Sequence, residues 1–346
     1  VGSGLAAQGA AAGPQYLTGM TMRLLKLVPD DTNIKFQRWG KPFFVFSTLV
    51  IVASIALVLV RGLNLGVDFV GGQQISVTFT QSEAAPVDEL RQRIDALGYG
   101  ESVIQSSGAP NEVSIRFRLP PEVAENPEAS AQMTSRVTST ITDNFPGARI
   151  DDLTAVSGKV SGELFQTAMY ALGFAMVAIA IYIWVRFEWQ FGVGALFALL
   201  HDVSLTLGMF ALFQLEFDLK TIAAILTIIG YSLNDTIVIY DRIRENLKKY
   251  RKMPLVELLD LSVNETLART VMTSLTLLVA LVALLALGPQ SLFGFTAAIT
   301  MGIFVGTYSS VYMAGPILTW LGVSSDSFVP QETVADQQEK ALRGEI

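Results

Sequence analysis

The sequence predicts an α-helical membrane protein: six transmembrane helices carrying one α+β ferredoxin-like (βαββαβ) domain outside the membrane. Three observations predict it. Of 346 residues only 16% are charged while 51% are hydrophobic, where a soluble domain has roughly a quarter charged. The apolar residues fall in uncharged blocks of about 20, the length that crosses a hydrocarbon core about 30 Å thick. Between the first two blocks, about 100 residues instead carry the short-period alternation of a small folded domain.

The composition also excludes. A net charge of −7 argues against a surface that coats nucleic acid, which would be basic. With no Cys there is no disulfide frame and no thiolate nucleophile or metal ligand, and a single His speaks against a His-built metal or haem site. No GxxxxGK[ST] loop is present, so ATP is not the fuel. Neither an enzyme activity nor a cofactor or metal is expected.

Residues 1–19 are small, uncharged and rich in Gly and Ala, and read as a flexible linker or a remnant left by expression. Residues 20–42 form an N-terminal segment before the first span, 43–60, which Arg61 closes. The second span is 164–185, between Glu163 and Arg186. The third, 190–215, carries His201 and Asp202, and the fourth, 221–240, carries Asp235. From Thr270 to Ser325 no residue is charged; Gly288-Pro289 divides this block into a fifth span, 269–287, and a sixth, 292–320, bent near Pro316. A basic loop, 241–268, separates spans four and five, and 323–346 is an acidic tail.

Orientation follows the Lys and Arg flanks. Arg23, Lys26, Lys35, Arg38 and Lys41 place the N-terminus in the cytoplasm, and six spans return the C-terminus there. The loop with Arg242, Arg244, Lys248, Lys249, Arg251 and Lys252 is then cytoplasmic as well. The segment 61–163 falls outside; from Gly62 to Leu164 it holds 7 basic and 14 acidic residues, a balance equal to that of the whole chain. The first apolar block lies too deep for a cleavable signal and reads as an anchor.

Within that outer segment Ile75, Val77 and Phe79 alternate as a strand does. Val87, Leu90, Ile94 and Leu97 follow a helical spacing that Gly98 stops. A weaker strand spans Ser102 to Gln105, and Val113, Ile115, Phe117 and Leu119 alternate up to Pro120-Pro121. Met133, Val137, Ile141 and Phe145 make a second helix, and Arg149 to Val156 a last strand with Ile150 inward. The order is βαββαβ. Its carboxylates are scattered as on a solvated acidic face, with no catalytic constellation.

Ionisable residues inside the spans carry the functional signal, because a charge near the bilayer centre costs at least about 2.5–3.5 kcal/mol. Asp235 lies seven residues before Arg242, about 10 Å above the inner end of its helix. Arg269, four residues past Glu265, enters the next, antiparallel span at a matching depth. An ion pair between them would offset the desolvation of each. Ser232, Asp235 and Thr236 share one helix face, and Arg269, Thr273 and Thr276 share another, so two polar stripes are expected to meet. His201-Asp202 reads either as a further relay element or as a buried hydrogen-bonded pair. In span six Gly294, Ala298, Gly302, Gly306 and Ser310 place a small residue at every fourth position, a ridge for close helix packing.

Three motifs stand out together. Gly66-Val67-Asp68-Phe69-Val70-Gly71-Gly72 follows the first span. Gly230-Tyr231-Ser232-Leu233-Asn234-Asp235-Thr236 leads into Tyr240-Asp241-Arg242-Ile243-Arg244. Glu265-Thr266-Leu267-Ala268-Arg269-Thr270 precedes Thr273-Ser274. With the six-span plan and the single outer domain, the chain from Trp39 to Gly322 resembles the SecF family, the small subunit of the SecDF protein-export factor in the resistance-nodulation-division superfamily.

The resemblance implies a bacterial plasma-membrane protein paired with SecD and associated with the SecYEG channel and YajC. It implies help to late preprotein translocation, driven by the proton-motive force. Asp235 is then the titrating carboxylate and Arg269 its charge partner, with Ser232, Asn234, Thr273, His201 and Asp202 as relay or packing residues. Asp68, Gly71 and Gly72 fall on the family motif, and the hinge, joining the first span to the outer domain. Two other readings stay open: a scaffold subunit of the translocase, and a half-size proton-coupled efflux transporter, for which the outer domain leaves little room.

Overall fold

A computed structural model describes residues 28–29, 32–99, 102–107, 109–117, 123 and 126–323. The expectations for residues 1–19, for Arg23 and Lys26, for Leu119 to Pro121 and for the tail beyond 323 lie outside the described residues.

Six helices are long and apolar enough to cross a membrane, and with the α+β domain expected outside it they make a multi-pass membrane protein. Helix α1 (Gly40–Arg61) follows a 3-10 turn, Phe36–Trp39. The others are α5 (Gly158–Arg186), α6 (Trp189–Phe213), α7 (Leu219–Lys249), α8 (Leu255–Leu287) and the pair α9 (Phe293–Tyr312) and α10 (Ala314–Trp320). Three of them form the interior. The apolar windows of the third, fourth and sixth spans are 50%, 56% and 61% buried, against 17%, 11% and 17% for the first, second and fifth. Leu59, Val60, Phe174, Trp184 and Leu287 stand exposed on those outer helices, as lipid-facing side chains do.

One segment differs from expectation, and one bend falls where it was expected. The basic segment 241–268 is mostly helical: α7 runs on to Lys249 and α8 starts at Leu255, leaving only a turn over 250–254. Ile243 and Leu247 continue the buried face of α7 through the charged stretch and meet Leu258, Leu259 and Val263 of α8. The hairpin therefore extends past the apolar part of the spans as an amphipathic pair. The last span breaks at Met313, three residues before Pro316, because proline neither donates to the preceding turn nor leaves room for its carbonyl.

The outer domain contains β2 (Gly72–Phe79), α3 (Val87–Asp95), β3 (Ser102–Ser107), β4 (Ala109–Phe117), α4 (Pro127–Asn144) and β5 (Ala148–Val156). Its four strands lie in the order β3-β4-β2-β5, all neighbours antiparallel, which is the split βαβ arrangement. Ile75 pairs with Ile115 on one side and Leu153 on the other. Ile75, Val77, Leu90, Ile94, Val113, Ile115, Val137 and Ile141 make its core, with Ile150 only partly buried at its margin. Gly98 ends the first helical stretch with φ +75°. A short helix α2 (Val67–Val70) and two short strands, β1 (Asn64–Leu65) and β6 (Glu216–Phe217), join this domain to the bundle.

Candidate functional site

Helix α7 turns one face inward at three- and four-residue spacing: Ile225, Ile228, Ser232, Asp235, Thr236 and Ile239 are all buried. Asp235 is 4% exposed. Its Oδ1 accepts a hydrogen bond from the Thr270 hydroxyl of α8 at 3.2 Å, and its Oδ2 has no partner among the described residues. A buried carboxylate oxygen without a donor is costly in the ionised form, so the charge state of this group bears directly on helix packing.

Arg269 does not pair with it. The side chain is exposed and lines an open cleft with Arg186, Asp241, Arg242, Glu245, Lys248 and Glu265, and among the described residues no ion pair joins it to Asp235. Thr273 and Thr276 are exposed too, and each bonds to a carbonyl of its own helix. The inward stripe of α8 is Ser262, Thr266, Thr270 and Ser274, one residue out of phase with the expected face. One residue is a turn of about 100° on a helix, enough to carry Arg269 from the core to the flank. Asn234, expected near the acid, is also exposed.

His201 and Asp202 are 1% and 0% exposed. His201 Nδ1 lies 2.9 Å from Asp202 Oδ1. Asp202 Oδ2 accepts from the Ser309 hydroxyl of α9 at 3.0 Å and from that of Ser232 on α7. The pair is thus the centre of a network across all three interior helices, and Ser232 places it one helical turn from Asp235. A second chain, Tyr231 to Ser274 at 2.9 Å and Ser274 to Thr307 at 2.8 Å, ties α7, α8 and α9 together. Sequence reasoning missed Thr270, Ser274, Thr307 and Ser309, although the four-residue spacing of hydroxyls on α8 was there to be read.

The small-residue ridge faces α7. A Cβ on Gly302 would lie 2.3 Å from Ile228 Cγ1, and one on Gly306 would lie 3.0 Å from Ser232 Cβ. Ala298 and Ser310 are buried along the same line, while Gly294 comes near the Glu216 carbonyl at its outer end. Close approach of α9 to α7 is what brings Ser309 and Ser232 onto one carboxylate.

At the outer end Asp68 Oδ2 accepts the Leu219 backbone N–H at 3.0 Å. Gly71 and Gly72 follow with φ +72° and +123°, conformations that favour glycine.

Comparison with known proteins gives matches over the same regions. The family described as "Protein export membrane protein SecD/SecF, C-terminal" matches residues 136–324, and that described as "SecD/SecF GG Motif" matches residues 56–83. The protein translocase subunit SecF of Rhodobacter capsulatus is 46% identical over 308 residues, covering 86% of this chain and 92% of the relative. That of Rickettsia bellii is 42% identical over 296 residues, covering 85% and 95%. A crystal structure of SecDF from Thermus, called a translocon-associated membrane protein, superposes with a TM-score of 0.74 at 33% identity, over 89% of this chain. A SecDF in a super-membrane-facing form superposes at 0.56 with 31% identity. The chain spans 40% of the length of either SecDF.

Proposed function

The chain belongs to the SecF family of protein translocase subunits, and from that membership we propose that it is the proton-coupled half of a motor assisting late preprotein export. The observation that carries this reading is Asp235: a carboxylate 4% exposed, one oxygen bonded to Thr270 and the other to nothing described. Protonation removes the buried charge and with it the demand for donors from neighbouring helices. A proton crossing the membrane releases about 2.3 kcal/mol per 100 mV, which shifts a two-state helix arrangement by more than tenfold. Arg269 acts from the flank of α8, next to Thr270, as a long-range charge and not as a direct ion-pair partner. The Asp202 network, made with His201, with Ser309 of α9 and with Ser232 of α7 itself, ties α7 to the other two interior helices one turn from Asp235.

In this reading the chain pairs with SecD in a bacterial plasma membrane, both termini cytoplasmic and the βαββαβ domain outside. It works beside the SecYEG channel and YajC on a translocating preprotein, and it performs no covalent chemistry. Asp235→Asn tests the proposal in inverted vesicles holding the complete complex. The expected result is loss of the export component that depends on the proton gradient, with the complex still assembled; full gradient-dependent export by the variant would overturn it. The scaffold reading is favoured by the tight seat of Gly302 on Ile228. It predicts the opposite pattern, export surviving Asp235→Asn and failing when that seat is filled.

A further inference from the structure

Where the outer domain meets the bundle, segments about 150 residues apart in sequence are laced together. Strand β1 pairs in parallel with β6, Asn64 opposite Glu216 and Leu65 opposite Phe217. The Gly66 N–H donates to the Phe217 carbonyl at 2.9 Å. Helix α7 begins directly after β6, and its first N–H groups have no partner within the helix. Asp218 takes one of them, the Thr221 N–H at 2.8 Å; Asp68 takes another, that of Leu219. A carboxylate here also meets the positive end of the helix dipole.

The sheet is fixed to the same place. Gln74 of β2 donates to Glu216 Oε2 at 2.8 Å. Arg116 of β4, 8% exposed, donates to the Leu65 carbonyl at 2.8 Å and to Asn64 Oδ1 and Gln105 Oε1 at 2.7 Å each. A Cβ at position 66 would lie 2.9 Å from Glu216 Oε1, so the chain passes close to this carboxylate. From Asp68 to the first strand there are three intervening residues, and the Gly71–Gly72 turn uses them without slack. Asp235 lies sixteen residues from Leu219 on one helix without proline, about 24 Å at 1.5 Å per residue.

We propose that Asp68 is a positioning residue that couples the fourth membrane helix to the outer domain, passing movement of α7 to the sheet through its hold on the Leu219 N–H. This rests on the reading of Asp235 as the titrating group and adds the route by which its charge state reaches the outside. The side chain must accept a hydrogen bond, and it need not be charged. Asn at position 68 therefore preserves the joint, and Ala breaks it while β1 and β6 keep the local fold.

The native chain has no Cys, so spin labels can be placed on introduced cysteines at Ser139, exposed on α4, and Leu287, exposed at the outer end of α8. The distance between them is measured in the assembled complex in proteoliposomes. Asp235→Asn, which mimics the protonated acid, is expected to shift the distance distribution when residue 68 is Asp or Asn and to leave it unshifted when residue 68 is Ala. Export driven by the proton gradient is expected to fall in Asp68→Ala and recover in Asp68→Asn. A shift that persists in Asp68→Ala overturns the coupling role even if Asp235→Asn abolishes export. A shift confined to Asp or Asn at position 68, with export unaffected by Asp235→Asn, leaves the joint standing and removes only the reading of Asp235 as the group that drives export.

Discussion

The Thr270 hydroxyl donates to Asp235 Oδ1 at 3.2 Å, while Arg269, the residue before it, is exposed on the flank of the same helix. The acid is therefore met by a neutral donor. Thr270→Val keeps the shape and removes that donor, leaving the ionised carboxylate without a partner among the described residues. A loss of about 1–3 kcal/mol is expected in the Asp235 chain. In an Asp235→Asn background the loss should be smaller, because a neutral amide suffers less from an unmade bond. Thermal melts of the four proteins in detergent form the cycle; equal losses in both backgrounds would show that the hydroxyl does not serve the carboxylate.

The seat of α9 on α7 yields a second prediction. A methyl on Gly302 would meet three carbons of Ile228 at 2.3, 2.6 and 2.7 Å. Gly302→Ala should cost about 1–3 kcal/mol through overpacking, and Gly302→Leu should prevent stable assembly. Ile228→Ala opens the space that the new methyl needs, so the double variant should melt closer to the native protein than Gly302→Ala alone. Additive losses in the double variant would place the contact elsewhere.

The spans were legible because uncharged blocks of membrane length have few other uses, and the outer domain because period-two and period-four stretches alternate in a recognisable order. The helical extension 241–268 was hidden by its charges, although Tyr240, Ile243 and Leu247 keep the inward spacing through them. The inward face of α8 is set by the neutral stripe Ser262, Thr266, Thr270, Ser274, which carries the phase, and not by the guanidinium of Arg269. His201 and Asp202 were visible as neighbours, but Ser309 reaches Asp202 from another helix, and no spacing announces that. The β1–β6 joint, two residues on each side, leaves no pattern in a sequence at all.

That joint has a pH dependence with a definite sign. Burial pushes the Glu216 carboxyl above its ordinary value near 4.5, and the Arg116 charge and the Gln74 hydrogen bond pull it back only in part, with Asp218 and Asp68 adding to the rise. Burial likewise raises Asp218 against its hydrogen bonds from Thr221 and the charge of Lys220. Opening the joint would return Glu216 to water, where it titrates normally. The closed joint therefore binds the proton more readily than the open one, and acid favours closure. The advantage is complete below about 4.5 and is lost as pH rises through the raised value. Amide exchange at Gly66, corrected for its intrinsic pH dependence, should be slowest at the acidic end and quicken as pH rises. Glu216→Gln keeps an acceptor for Gln74 and removes this titration, so its loss of Gly66 protection with rising pH should be smaller than in the native chain, the remainder belonging to Asp218. If the variant follows the native curve, the titrating group is Asp218, and Asp218→Asn should then flatten the curve in its place.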